Sequence, residues 1–152
     1  MQLDKTDKLL LQLLQTDSKQ TNKELSLKLN LSVTAVYERI KKLERSGIIS
    51  QYVALIDKKK VNQAFIVFCH VRLVQHTREN VTYFEREITK LTEVLECYHI
   101  NGDYDYMLKV AVTNMDAYRE FMVNKLTKLQ HIANTHSVFM MGEVKHTTAI
   151  TL

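Results

Sequence analysis

Between Thr21 and Gly47 the chain carries two sets of helix start and stop signals a few residues apart, and no other feature restricts its fold so tightly. Thr21-Asn22-Lys23-Glu24 has the form of a capping box, in which the Thr hydroxyl and the Glu carboxylate each accept a backbone N–H left free in the first helical turn. Leu25 and Leu29 supply that helix with a buried side, and Asn30 suits the left-handed residue that ends it. Ser32 is then a good N-cap for a helix running to about Ser46, with Gly47 as its stop. A preceding helix is expected from Leu3 to Gln15, where Leu3, Leu10, Leu13 and Leu14 recur at helical spacing, Leu9 and Leu11 widen the stripe and Asp4 is placed to cap.

Three short helices with a tight turn between the second and third are the skeleton of a helix-turn-helix, whose last helix lies in the DNA major groove. In that helix Val33, Val36, Ile40 and Leu43 share one face, which should pack inward. The opposite face holds Thr34, Glu38, Lys41 and Arg45, flanked by Ala35, Tyr37 and Lys42. Thr34 can meet a base edge or a thymine methyl, Glu38 can accept from cytosine N4, and Tyr37 can reach a base or a phosphate. Lys41, Lys42 and Arg45 suit phosphates, which give affinity without sequence reading. With Ser32 and Arg39, these residues form the candidate DNA-contacting set. The bland alternative is a surface helix whose lysines only keep the module soluble, and trihelical modules also bind proteins; pattern alone leaves both open.

After Gly47, Ile48 to Ile56 reads as a β-segment, followed by the solvated connection Asp57-Lys58-Lys59-Lys60. The boundary is placed near residue 60, giving domains 1–60 and 61–152. Beyond it the expected order is strand (Phe65 to Val74), helix (Arg78 to Leu91), strand (Val94 to Ile100), strand (Tyr104 to Val112), helix (Met115 to Leu129) and strand (Thr135 to Val144). Both helices are amphipathic, one through Val81, Phe84, Ile88 and Leu91, the other through Tyr118, Phe121, Met122 and Leu129. Asn101-Gly102 predicts a type I′ hairpin turn, with positive φ at both residues. The result is a β-α-β-β-α-β, ferredoxin-like α+β module. Both its helices should cover one sheet face, and apolar positions on the bare face point to self-association.

Composition narrows the remaining choices. No proline and only three glycines in 152 residues argue against a long disordered linker. Residues 1–60 hold 12 Lys and Arg against 7 Asp and Glu, whereas residues 61–152 hold 9 against 10, so the positive excess lies in the first module, as a polyanion-binding half requires. The longest apolar stretch, Ala64 to Cys69, is too short to span a bilayer, and the two cysteines lack framework spacing, so a soluble cytoplasmic protein is expected. Cys69-His70 and Cys97-Tyr98-His99 could hold zinc, with Cys97 and His99 on one strand face, but they lack clustered knuckle spacing; packing is the preferred reading and no cofactor is expected. Tyr104, Asp105 and His99 near one hairpin allow a small ferredoxin-like enzyme as the rival function. A sensing and assembly module whose helical head binds protein is a third.

The run Leu31-Ser32-Val33-Thr34-Ala35-Val36-Tyr37-Glu38-Arg39-Ile40-Lys41-Lys42-Leu43-Glu44-Arg45-Ser46-Gly47-Ile48-Ile49 resembles the "LS…V..RI..LE..G.I" signature of the feast/famine, or Lrp/AsnC, regulators, as does the opening Leu3-Asp4-Lys5-Thr6-Asp7. Downstream, Gly102-Asp103-Tyr104-Asp105-Tyr106-Met107-Leu108-Lys109 resembles that family's "GDYDYLLK" hairpin, and Asn114-Met115-Asp116-Ala117-Tyr118 and Gly142-Glu143-Val144-Lys145 also match. The resemblance covers nearly the whole chain and implies a winged helix-turn-helix transcription regulator, not an enzyme, acting on double-stranded DNA. It further implies dimers built through the sheet, commonly assembled into octamers, and an amino acid or related effector bound where dimers meet. Carried over residue by residue, the effector site involves Asn101, Gly102, Asp103, Tyr104 and Asp105 with Thr135 and Ser137. Where the family often has Pro and Gly, this chain has Lys58-Lys59-Lys60-Val61-Asn62 and Leu129-Gln130-His131-Ile132, so turn geometry there must come from other residues.

Overall fold

The computed structural model describes residues 2–152. Contacts divide the chain into two units, one reaching Leu55 and taking back Val144–Leu152, the other spanning Ile56–Glu143.

The first unit holds α1 (Lys5–Thr16), α2 (Asn22–Leu29) and α3 (Val33–Arg45). Each starts on the expected cap. Asp4 accepts from the Asp7 N–H at 2.7 Å, Thr21 and Glu24 close their reciprocal box, and Ser32 accepts from the Ala35 N–H at 3.1 Å. Asn30 closes α2 in the left-handed region at φ 52°, so Asn30, Leu31 and Ser32 alone separate α2 from α3. Leu10, Leu11, Leu25, Val36 and Leu43 form the core, with Ile40 packed against it. Val33, expected on the inner face, is instead 46% exposed, because the first helical turn overhangs the core. The expected β-segment 48–56 carries no strand. The Ile48 and Ile49 amides both bond back to the Leu43 carbonyl, and the described residues of this unit offer no second strand on which a ladder could form.

In the second unit a four-stranded antiparallel sheet has the order β2-β3-β1-β4, from β1 (Phe65–Leu73), β2 (Val94–His99), β3 (Tyr106–Val112) and β4 (Ile132–Phe139). Strand alternation puts Val67, Cys69, Val71 and Leu73 of β1 with Tyr106, Leu108 and Val110 of β3 on one face. There α4 (Arg78–Ile88) and α5 (Met115–Asn124) cover them with Phe84, Ile88, Tyr118 and Phe121. Both helices stop short of the expected ends, α4 at the Thr89 cap and α5 in a 3-10 turn, Leu126–Lys128.

Two boundaries differ from expectation for a visible reason. The last strand runs Ile132–Phe139 rather than Thr135 to Val144, because the ladder with β1 spans only Leu73↔Ile132 to Val67↔Phe139. In the β2–β3 hairpin Gly102 has φ 143° while Asn101 is not in the positive-φ region, so the turn is not type I′. Ile100 donates to the Asp105 carbonyl at 2.8 Å, leaving four residues to make the turn. Asp105 itself is pinned to β1 through its N–H on the Val71 carbonyl at 2.9 Å. Where proline and glycine are missing, Asn62 (φ 55°) and His131 (φ 69°) supply the left-handed turns, a conformation that Asn and His adopt more readily than most residues.

Candidate DNA-binding face and ligand-binding hairpin

The outer side of α3 is a continuous polar strip, with Ser32, Thr34, Tyr37, Glu38, Lys42 and Arg45 exposed and Ala35 and Lys41 half-buried. Lys41 Nζ is 2.8 Å from Glu44 Oε2 and 5.8 Å from the Tyr37 ring centroid. The hydrogen bond from Lys41 lowers the Glu44 carboxyl pKa, and Glu44 raises that of the Lys41 ammonium, so the pair is held charged. Ser32 is occupied as the N-cap. Its exposed position also leaves α3 with an open N-terminus, where free backbone N–H groups favour a phosphate.

Arg39 is placed differently from the others. One guanidinium nitrogen bridges Asp4 Oδ2 at 2.7 Å and Asp7 Oδ1 at 2.6 Å, and Asp7 is 1% exposed. The arrangement fastens α3 to the start of α1. The Asp7 backbone N–H and then Arg39 hold the Asp4 carboxyl below its ordinary value, while the two carboxylates raise the Arg39 pKa. Asp4 and Asp7, three residues apart across a helix start, form a second capping box; that spacing was the signal for them, whereas the reach of Arg39 to both is visible only in three dimensions.

Around the hairpin the expected residues separate into two groups. Asn101, Gly102 and Asp103 are exposed at its tip. Tyr104 turns to the open sheet face, its ring 5.3 Å from that of His70 and 6.1 Å from that of His136. Asp105 is committed inward: Oδ2 accepts the Leu73 N–H at 2.7 Å and Oδ1 lies 3.0 Å from His76 Nδ1. The His76 ring sits 5.1 Å from His99, which stacks on Tyr106 at 4.7 Å. Tyr106 donates to Glu85 at 3.0 Å. On β4, Thr135 and Ser137 pair with Val71 and Cys69, and the Ser137 and Tyr118 hydroxyls are 2.6 Å apart. His99 lies beside Tyr104 and Asp105 as its place in the sequence suggested, whereas His76 and Glu85 were not expected at this end of the sheet, and nothing in their spacing announces them. Burial pushes both thiols up, that of Cys97 to about 11, which keeps them protonated at neutral pH.

Residues 66–150 match the Lrp/AsnC ligand binding domain, and residues 3–50 match a winged helix-turn-helix DNA-binding domain. The chain belongs to the Lrp/AsnC family. Among its relatives, the leucine-responsive regulatory proteins of Salmonella typhimurium and Escherichia coli K12 are each 34% identical over 150 residues, covering 99% of this chain and 92% of theirs. A Neisseria meningitidis transcriptional regulator solved as an L-Met complex superposes with a TM-score of 0.93 at 35% identity, over 98% of this chain and 96% of that one. This Lrp/AsnC regulator therefore pairs a DNA-binding helix-turn-helix with a small-molecule-binding α+β domain of ferredoxin-like topology. No helix among the described residues is long and apolar enough to cross a membrane.

Proposed function

We propose that α3 lies in the major groove with Thr34, Tyr37 and Glu38 toward base edges and Lys42, Arg45 and Lys41 toward phosphates. The observation that carries this is the division of α3 itself, with Val36 and Leu43 fully buried while the polar strip stands free of the core. Arg39 then acts as a positioning residue, and Ala35 sets how closely the helix approaches. Retention on duplex DNA, weakening steeply as salt rises, tests the reading; an interaction indifferent to salt would overturn it.

The effector is an α-amino acid with an apolar side chain. Support comes from the L-Met complex of the Neisseria regulator and from the leucine-responsive relatives. The exposed amides of Asn101 and Gly102 suit its carboxylate, and Asp103 suits its ammonium. Tyr104, Thr135 and Ser137 line the neighbouring sheet, and Asp105 holds the hairpin in shape. Thermal-shift measurements with L-methionine, L-leucine and the other common amino acids test this, and a silent panel would refute it. Copies associate through the open sheet face into dimers and, from these, octamers. That face presents Phe68, Met107 and Val138, and among the described residues it leaves the buried His70 Nδ1 without a hydrogen-bond partner in this chain. The protein works in the cytoplasm by binding, without catalysis.

A further inference from the structure

We propose that Val144–Leu152 is a detachable clasp that carries the effect of ligand binding from β4 to the DNA-binding head, a proposal that rests on the effector reading above. The chain crosses between its two units twice, once after Leu55 and again after Glu143. The roots of the two crossings are joined, since Lys58 Nζ lies 3.7 Å from Glu143 Oε1. The second crossing leads directly from β4, an edge strand that carries Thr135 and Ser137 and that ends at Phe139 with one more ladder bond, Met140 N–H to the Ile66 carbonyl at 3.2 Å. An edge strand pairs on one side only, so its end can shift without breaking the rest of the sheet.

What the segment grips is α1. The Gln15 side-chain amide donates to the Ile150 carbonyl at 3.0 Å and accepts the Ile150 N–H at 2.8 Å, the reciprocal pair a β-strand partner would make. Leu152 packs against the core of the head. The hold is small. Ile150 is 68% exposed, and a cleft of 610 Å³ separates parts of the segment from Leu11, Leu14 and residues 48–55. Two hydrogen bonds and one leucine side chain make a contact that opens by local fluctuation, which a two-state coupling element requires. The contact reaches α1, whose Asp4 and Asp7 fix α3 through Arg39, so docking and release act on the helix that meets DNA.

Gln15→Ala removes both hydrogen bonds from a partly exposed position, and Gln15→Glu keeps the acceptor for the Ile150 N–H. In the full-length protein, hydrogen exchange at the Ile150 amide should speed up roughly three- to tenfold in Gln15→Ala and less in Gln15→Glu. The change in DNA affinity produced by L-methionine or L-leucine should shrink about threefold or more in the same order, while the amino acid still binds saturably, its own affinity shifted by no more than about the factor seen in exchange. Unchanged exchange at Ile150 would overturn the clasp, and faster exchange with an undiminished ligand effect on DNA would overturn its role in coupling. A wild type whose DNA affinity ignores both amino acids would overturn the effector reading and the coupling together, with the exchange rates still reporting on the clasp.

Discussion

The outer face of α3 and the β2–β3 hairpin are both rich in polar residues, yet they spend them in opposite ways. On α3 the side chains facing out have little to bond to within the chain, so Thr34, Tyr37, Glu38, Lys42 and Arg45 stay exposed. At the hairpin the tip residues Asn101 and Asp103 stay exposed, but the polar groups nearer the sheet are consumed in holding its geometry. Asp105 serves β1 and His76, while Ser137 serves Tyr118. A polar residue on a helix is therefore a fair guide to what a surface offers a partner, and a polar residue beside a turn is first a guide to how the turn is held.

The sharpest test of this contrast is Arg39, whose guanidinium is spent on Asp4 and Asp7. Arg39→Ala leaves Asp7 buried without its countercharge and should cost about 3 kcal/mol of stability, read from denaturant unfolding of the full chain. A loss confined to DNA binding, with stability intact, would return Arg39 to the contacting group. Next, Asp105→Ala strands the Leu73 N–H and should cost about 2 kcal/mol in the same measurement. If stability is unchanged and only amino-acid binding falls, the hairpin is less self-absorbed than described. Thr34→Ala and Glu38→Ala should each cost about 1–2 kcal/mol of binding to a preferred DNA site and almost nothing on random duplex, as seen by competition titration. Lys42→Ala should lower affinity for both alike and reduce the salt slope by about one. The smallest effect concerns acid. The Asp4 and Glu24 carboxyls are both held below their ordinary values, first by the backbone N–H groups they cap and then by their side-chain partners. Depressed carboxyls stabilise the fold above their unfolded values of 3.8 and 4.5, and that contribution fades as pH falls from there through the lower folded values. Melting of the head should therefore soften below about pH 4.5, less so in Asp4→Asn, where one of the two groups no longer titrates.

Much of this architecture was legible because it is local. Caps at Thr21 and Ser32, the stop at Asn30 and the two periodicities of three to four and of two are written within a few residues of where they act, so the helix order and the βαββαβ pattern follow directly. What sequence withheld depends on partners distant along the chain. Val33 obeys the apolar stripe yet is exposed, and the segment 48–56 has strand composition but pairs with no strand among the described residues. The Asn101-Gly102 pair promised the tightest turn, and the anchoring of Asp105 on Val71 widened it. Of the two candidate sites, the helical one could be drawn from spacing alone; the hairpin needed the fold to bring His76 and Glu85 beside His99 and Asp105.

The Asp4–Arg39–Asp7 staple has an implication for how such a head acquires new targets. Because the residue that secures α3 is separate from those that face outward, the outward positions are free to drift or to be exchanged by design without loosening the scaffold. On the docking of α3 proposed above, exchanging Thr34, Tyr37 and Glu38 as a cassette is the route to an altered operator, whereas randomising position 39 alongside them removes the countercharge of Asp7 and costs stability.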